Sequence, residues 1–81
     1  SISTNSLWTE IQISELYKSF AKDYYFDDKF KLANKYIQKI KFDYLDSNSI
    51  LLKARIYVAL KKEKEAINTL NLFKKSQTIY A

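Results

Sequence analysis

Two stretches decide the fold: residues 14–41, SELYKSFAKDYYFDDKFKLANKYIQKIK, and residues 47–74, SNSILLKARIYVALKKEKEAINTLNLFK. With Ser14 laid on Ser47, the first stretch also lays Ala21 on Ala54, Tyr24 on Tyr57 and Lys29 on Lys62. Lys31 then meets Lys64, Ala33 meets Ala66 and Lys41 meets Lys74. Apolar character also persists where identity does not, at Tyr17 with Ile50, Ile37 with Leu70 and Ile40 with Phe73. Small and large apolar residues therefore recur in one order. A period of this length marks stacked supersecondary units, in which each unit covers a neighbour's apolar face. Such arrays more often present binding surfaces than active sites.

Composition narrows the choice further. The 81 residues contain no glycine, proline, cysteine, methionine or histidine. Without glycine, the left-handed turns of tight hairpins are disfavoured, so an all-α chain is expected rather than an all-β one. Glycine-rich phosphate loops are excluded. Without cysteine there is no disulfide and no thiolate metal site. Without histidine, the commonest base near neutral pH is missing. A chain this short buries only roughly 60% of its unfolded surface, so its stability is expected to come from packing or from parts of a longer protein.

The net charge is +5, with fourteen Lys and Arg against nine Asp and Glu. That field favours acidic partners, nucleic acid or anionic lipid in a general way, and it equally describes a solvated lysine surface. No apolar run approaches the ~20 residues of a membrane span, so no transmembrane segment is expected. The chain begins at serine, so the lack of a secretory signal pattern fixes no compartment.

The periodicity predicts four helices. The first runs from about Ser6 to Phe26, with Ile13, Leu16, Tyr17, Phe20, Ala21 and Tyr24 at three- and four-residue steps. Ser6 is its expected N-cap, and Glu10 is expected near the positive end of its dipole. Asp27 or Asp28 is expected to cap a second helix that runs to about Phe42, with Phe30, Ala33, Ile37 and Ile40 as its stripe and Tyr44 a candidate to extend it. Lys31, Lys35 and Lys39 share a face of that helix. Like charges so spaced belong in water or against acid. The polar run Asp46, Ser47, Asn48 and Ser49 is a break that favours caps and turns. A third helix follows to about Leu60 with Ile50, Ala54, Tyr57 and Val58. Lys61-Lys62 is a tight connection. A fourth helix carries Ala66, Ile67, Leu70 and Phe73 to about Lys75, and residues 77–81 read as a frayed tail or the start of an element cut short.

On these residues the chain resembles the tetratricopeptide repeat (TPR) family. In that family two antiparallel helices form each unit. Ala21 and Ala54 match the small residue of the first helix, Tyr24 and Tyr57 the aromatic one turn later, and Ala33 and Ala66 the small residue early in the second helix. Tyr17 and Ile50 match the bulky opening residue, and Phe30 the aromatic before the second helix. The sequence departs from the family where Ala21, Ala54, Asp28 and Lys61 stand at positions that favour glycine. Leu45 and Thr78 stand where proline is common, and Glu63 replaces the aromatic seen at Phe30. The resemblance implies one helical domain over residues 1–81, with repeat one at about 14–46, repeat two at about 47–79 and a helical extension at 6–13. It implies a TPR-like superhelix of tandem antiparallel hairpins. Two units are fewer than the ~3 such arrays usually need, so either the upstream extension with Leu7, Trp8 and Ile11 closes one end, or an exposed apolar face meets a second copy, a partner or the rest of a longer protein.

The resemblance also implies a groove lined by first helices. By position it would hold Lys18, Lys22 and Tyr25 from one unit, with Asn48, Leu51 and Arg55 from the other. Glu15 joins the first set and Val58 the second. Lys18, Lys22 and Arg55 would suit carboxylates on a partner segment. Lys22 and Leu52 stand where the carboxylate-clamping members carry asparagine, so that clamp is not expected. Trp8 is a candidate interface anchor.

The functional expectation is a protein-interaction module or scaffold with no catalytic residues, no metal and no cofactor. An RNA-binding helical repeat is the alternative from the basic balance and the tyrosines. A single arginine argues against it. A structural homodimer, or a fragment of a larger envelope or cytosolic protein, is the third reading. Asp27-Asp28 and the pair Asp43 with Asp46 read as caps and loop residues rather than catalytic carboxylates, so an enzyme is not expected.

Overall fold

A computed structural model describes the backbone of residues 2–79 and the side chains of residues 8–75. The chain is all-helical, and the described residues form no strand. Its elements are α1 (Ile2–Phe26), α2 (Phe30–Ile37), a 3-10 turn (Phe42–Tyr44), α3 (Ser47–Ala59) and α4 (Glu63–Ile79). They fall into two compact units, Ser1–Tyr44 and Leu45–Ala81. In the first, α1 packs on α2; in the second, α3 packs on α4. Each unit is a helical hairpin.

The two hairpin turns match bond for bond. In the first, the Lys29 N–H donates to the Tyr24 carbonyl at 2.8 Å and the Asp28 N–H to Tyr25 at 3.1 Å. In the second, the Lys62 N–H donates to the Tyr57 carbonyl at 2.8 Å and the Lys61 N–H to Val58 at 3.0 Å. This pair of bonds is a Schellman motif, which satisfies the last carbonyls of a helix and reverses the chain. The motif places one residue in the left-handed region. Asp28 has φ of 61° and Lys61 has φ of 62°. Both positions favour glycine, and this chain has none to put there. The second helix of each pair then begins alike, with the Ala33 N–H on Lys29 and the Ala66 N–H on Lys62.

The alanines make the helix pairs close. Ala21, Ala33, Ala54 and Ala66 are all buried, two of them completely. In each unit, one lies on the first helix and one on the second. A larger side chain at any of them would hold the helices apart. Around them the first unit buries Ser14, Ile37 and Ile40, and the second buries Leu45, Ser49, Ile50, Ile56 and Thr69. Ile37 and Ile56 are the largest fully covered side chains, each worth roughly 2 kcal/mol of apolar transfer. The buried hydroxyl of Thr69 donates to the Glu65 carbonyl at 2.8 Å, and no buried side-chain N or O among the described residues lacks a partner.

Several boundaries differ from the sequence expectation. The first helix starts at Ile2, so Ser6 lies inside it rather than capping it, and Glu10 sits more than two turns from its start. Nothing between Ile2 and Ser6 breaks a helix, and winding simply continues upstream. Asp27 and Asp28 do not cap α2. They close α1, and the N-cap of α2 is Lys29, whose side chain makes no capping bond. The second helix ends at Ile37 and not near Phe42. Beyond it the Lys39 and Ile40 N–H groups donate three residues back, to Tyr36 and Ile37, so the coil tightens out of α-geometry. Asp46 is the N-cap of α3, and its Oδ1 accepts from the Ser49 N–H at 2.8 Å. The fourth helix continues to Ile79, so residues 77–79 are helical and not a frayed tail; Tyr80 and Ala81 lie outside the described residues.

The covered sides of the hairpins also diverge. Leu70 is 41% exposed where its counterpart Ile37 is fully buried. Ile67 and Val58, both expected on buried stripes, are exposed as well. Ile56 is fully buried where its counterpart Asp23 is exposed. The repeat keeps the turn and the small residues, and less of the large ones.

Candidate functional site

The expected groove residues are placed by α1 in one unit and α3 in the other. On α1, Lys18, Lys22 and Tyr25 follow at steps of four and three, which keeps them on one side of the helix. Lys22 is exposed. Lys18 is not a free cation: its Nζ lies 2.9 Å from Glu15 Oε1, and its side chain is only 13% exposed. Tyr25 is half-buried, with its ring 5.6 Å from that of Phe26 and 5.7 Å from that of Phe30. On α3, Asn48, Leu51 and Arg55 repeat the same kind of spacing and are all exposed. Each trio is thus together on its own helix. Trp8 stands 61% exposed on α1, available as an anchor.

A second constellation lies wholly in the first unit, where sequence periodicity gives no hint of it. Tyr44, on the 3-10 turn, donates its hydroxyl to Glu10 Oε2 at 2.8 Å, although 34 residues separate them. Lys41 Nζ stands 3.5 Å from the other oxygen of the same carboxylate. The Tyr44 hydrogen bond, then the Lys41 charge, holds the Glu10 carboxyl below its ordinary value. The same bond to Glu10 pushes the Tyr44 phenol above its own. These groups border an open depression of about 120 Å³, whose apolar wall is Ile13 and Tyr17 and whose far rim is Lys39. Chemically the arrangement ties the segment after α2 back onto α1. Glu10 has both oxygens occupied, so it is poorly placed to act as a base.

Beside the depression lies an aromatic cluster. Tyr36 of α2 sits among three rings of α1, with centroids 6.0 Å away for Tyr17, 5.3 Å for Phe20 and 5.6 Å for Tyr24. Tyr24 and Tyr36 are stacked, and the other two pairs are tilted, both favoured arrangements. Lys39 Nζ stands 5.8 Å from the centre of the Tyr17 ring, and Lys35 Nζ 6.0 Å from that of Tyr36. The sequence pattern puts Tyr17, Phe20 and Tyr24 on one stripe and Lys35 and Lys39 on another. Tyr36, which joins the two, falls outside the stripe of Ala33, Ile37 and Ile40, and only the pairing of α1 with α2 shows it.

Among the described residues no group of three or more Asp or Glu is placed to hold a metal ion. No described helix is long and apolar enough to cross a membrane. Set against known protein families, curated proteins and solved structures, the chain matches none.

Proposed function

We propose that this chain is a protein-interaction module of the tetratricopeptide kind, which takes an acidic segment of a partner protein on its first helices. The contacts on α1 are Lys18, Lys22 and Tyr25, with Trp8 an accessory anchor, and those on α3 are Asn48, Leu51 and Arg55, each trio taken on its own hairpin. One observation supports this reading above others. The left-handed turn residue, its two hydrogen bonds and the flanking buried alanines all recur at equivalent places in the two hairpins. A duplicated hairpin of this kind is the building unit of helical arrays, whose use is recognition by shape and charge. Lys22 and Arg55 carry most of the charge recognition, because the Lys18 ammonium is already engaged by Glu15.

The test is capture of a partner by the intact chain, repeated with Lys18→Glu, Lys22→Glu and Arg55→Glu together. The reading expects about a tenfold or greater loss of affinity, as for removal of charge-assisted contacts. Undiminished binding by the triple variant discards the assignment of these residues.

A further inference from the structure

We propose that the open side of the first hairpin, formed by Leu16, Phe20 and Tyr36 and edged by Lys31, Lys35 and Lys39, docks an amphipathic helix of another protein that bears carboxylates at four-residue steps beside its apolar stripe. The inference rests on the interaction-module reading but uses none of the residues assigned above to partner contact.

Three observations carry it. The first is apolar exposure in one place. Leu16 is 51% and Phe20 38% exposed, and Phe20 lies against the ring of Tyr36 on the neighbouring helix. Two packed helices thus present a shared apolar furrow to water, which is the form of surface that receives a third helix. The second is the contrast with the other hairpin. The repeat-equivalent positions of Leu16, Phe20 and Tyr36 hold Ser49, Lys53 and Thr69, and Ser49 and Thr69 are buried. The two buried ones, Ser49 and Thr69, are small, whereas Leu16, Phe20 and Tyr36 are large and mostly aromatic. Large residues on an open side are suited to supplying contact area to something that arrives.

The third observation is charge. Lys31 and Lys35 stand four residues, about 6 Å, apart along α2, and Lys39 follows four residues on, in the tightened turn past its end. None of the three has a carboxylate within 4.0 Å among the described residues. The ammoniums of Lys35 and Lys39 stand over rings of the cluster, at the furrow's border. A line of unpaired cations beside an apolar furrow is complemented by a line of carboxylates beside an apolar stripe, both at helical spacing. A second copy of this chain does not supply that line. On its helices and at their ends, among the described residues, only Asp23 and Asp27 are four residues apart, which is a pair rather than a line, and Asp27 is already engaged by Lys29 at 3.3 Å.

The probe is a fluorescein-labelled helical peptide of about 18 residues, with leucine on one face and glutamate at four-residue steps along one border. The control carries lysine in place of every glutamate. Fluorescence anisotropy with the full chain should show saturable binding of the acidic probe, and the control should bind about tenfold more weakly or worse. Leu16→Glu should abolish binding of the acidic probe. Lys35→Glu with Lys39→Glu should reverse the preference between the two peptides. The triple Lys18, Lys22 and Arg55 variant should bind the probe like the parent, which keeps this surface distinct from the first-helix contacts. Leu16, Lys35 and Lys39 are all exposed, and circular dichroism at 222 nm checks that each variant is folded. The proposal is overturned if the acidic probe shows no saturation by about 1 mM, or if Leu16→Glu leaves it unaffected. It is also overturned if single-stranded RNA displaces the probe from the parent but the lysine control binds equally well. A concentration-dependent dimer in sedimentation that Leu16→Glu abolishes would assign the furrow to a second copy instead.

Discussion

Replacing Lys61 by glycine should stabilise the chain, although it deletes a whole side chain and makes no new contact. Lys61 is held at φ of 62°, where the Cβ of an L-residue crowds the adjacent carbonyl. That conformation costs roughly 1–2 kcal/mol. Glycine adopts it freely but loses more backbone freedom on folding, which returns about 0.5–1 kcal/mol of the gain. The net stabilisation is then about 0.5–1 kcal/mol. For a domain of this size that raises the midpoint of thermal unfolding by about 2–8 °C. Asp28 occupies the equivalent position at φ of 61°. Aspartate visits the left-handed region more readily than lysine, so Asp28→Gly should gain about half as much. The assay is urea unfolding followed by circular dichroism at 222 nm, with Lys61→Ala and Lys64→Gly as companions. Alanine keeps the Cβ and should gain nothing. Lys64 lies in the first turn of α4 without a positive φ, so glycine there should gain nothing and cost some stability. If Lys61→Gly is no more stable than Lys61→Ala, the left-handed turn is not a cost to the fold. The bond-for-bond equivalence of the two hairpins then loses its physical basis.

Three further outcomes are expected. Ala54→Leu, at a buried helix contact, should cost about 1–3 kcal/mol in urea unfolding by overpacking, whereas Leu51→Met on the exposed side of the same helix should change stability by less than ~0.5 kcal/mol. Asp46→Ala removes the cap that accepts from Ser49 and should cost about 1 kcal/mol, with Asp46→Asn retaining most of it. The Tyr44–Glu10 bond should leave a pH signature. The Glu10 carboxyl is held below its ordinary 4.5, so its contribution is complete above that pH and is lost as pH falls through the lowered value. The Tyr44 phenol is held above its ordinary 10.0, so its contribution is present below pH 10.0 and is lost as pH rises through the raised value. Tyr44→Phe should flatten both flanks of a stability profile, and an unchanged profile would show that the contact does not persist in solution.

How far the sequence alone led depended on whether a feature repeats. The helices announced themselves through three- and four-residue spacing in a chain without glycine or proline, and the four buried alanines through their matching places in the two halves. Asp27-Asp28 and Lys61-Lys62 were legible as interruptions. Aspartate and lysine do not themselves advertise a left-handed turn as glycine does; only the resemblance, which favours glycine where Asp28 and Lys61 stand, pointed to it. Ser6 has the chemistry of a cap, yet residue type alone does not say whether winding has already begun upstream. The stripe of α2 runs on through Ile40, and nothing in that spacing tells of the tightening to three-residue bonds after Ile37. The contacts between Tyr44 and Glu10, and between Tyr36 and the rings of α1, join residues far apart in the chain. Such pairs leave no periodic trace and appear only once the hairpin is closed. Lys18, Lys22 and Tyr25 share one side of one helix, as their spacing implies.

The short ion pair within α1 bears on how any partner would be held. A carboxylate that approaches Lys18 meets an ammonium whose counter-ion is already in place 2.9 Å away. Docking there is an exchange: Glu15 must be released to water as the newcomer arrives, and the tally of paired charges stays level. The strength of such a contact would then depend on how readily Glu15 lets go, which would make that carboxylate a tuner of affinity.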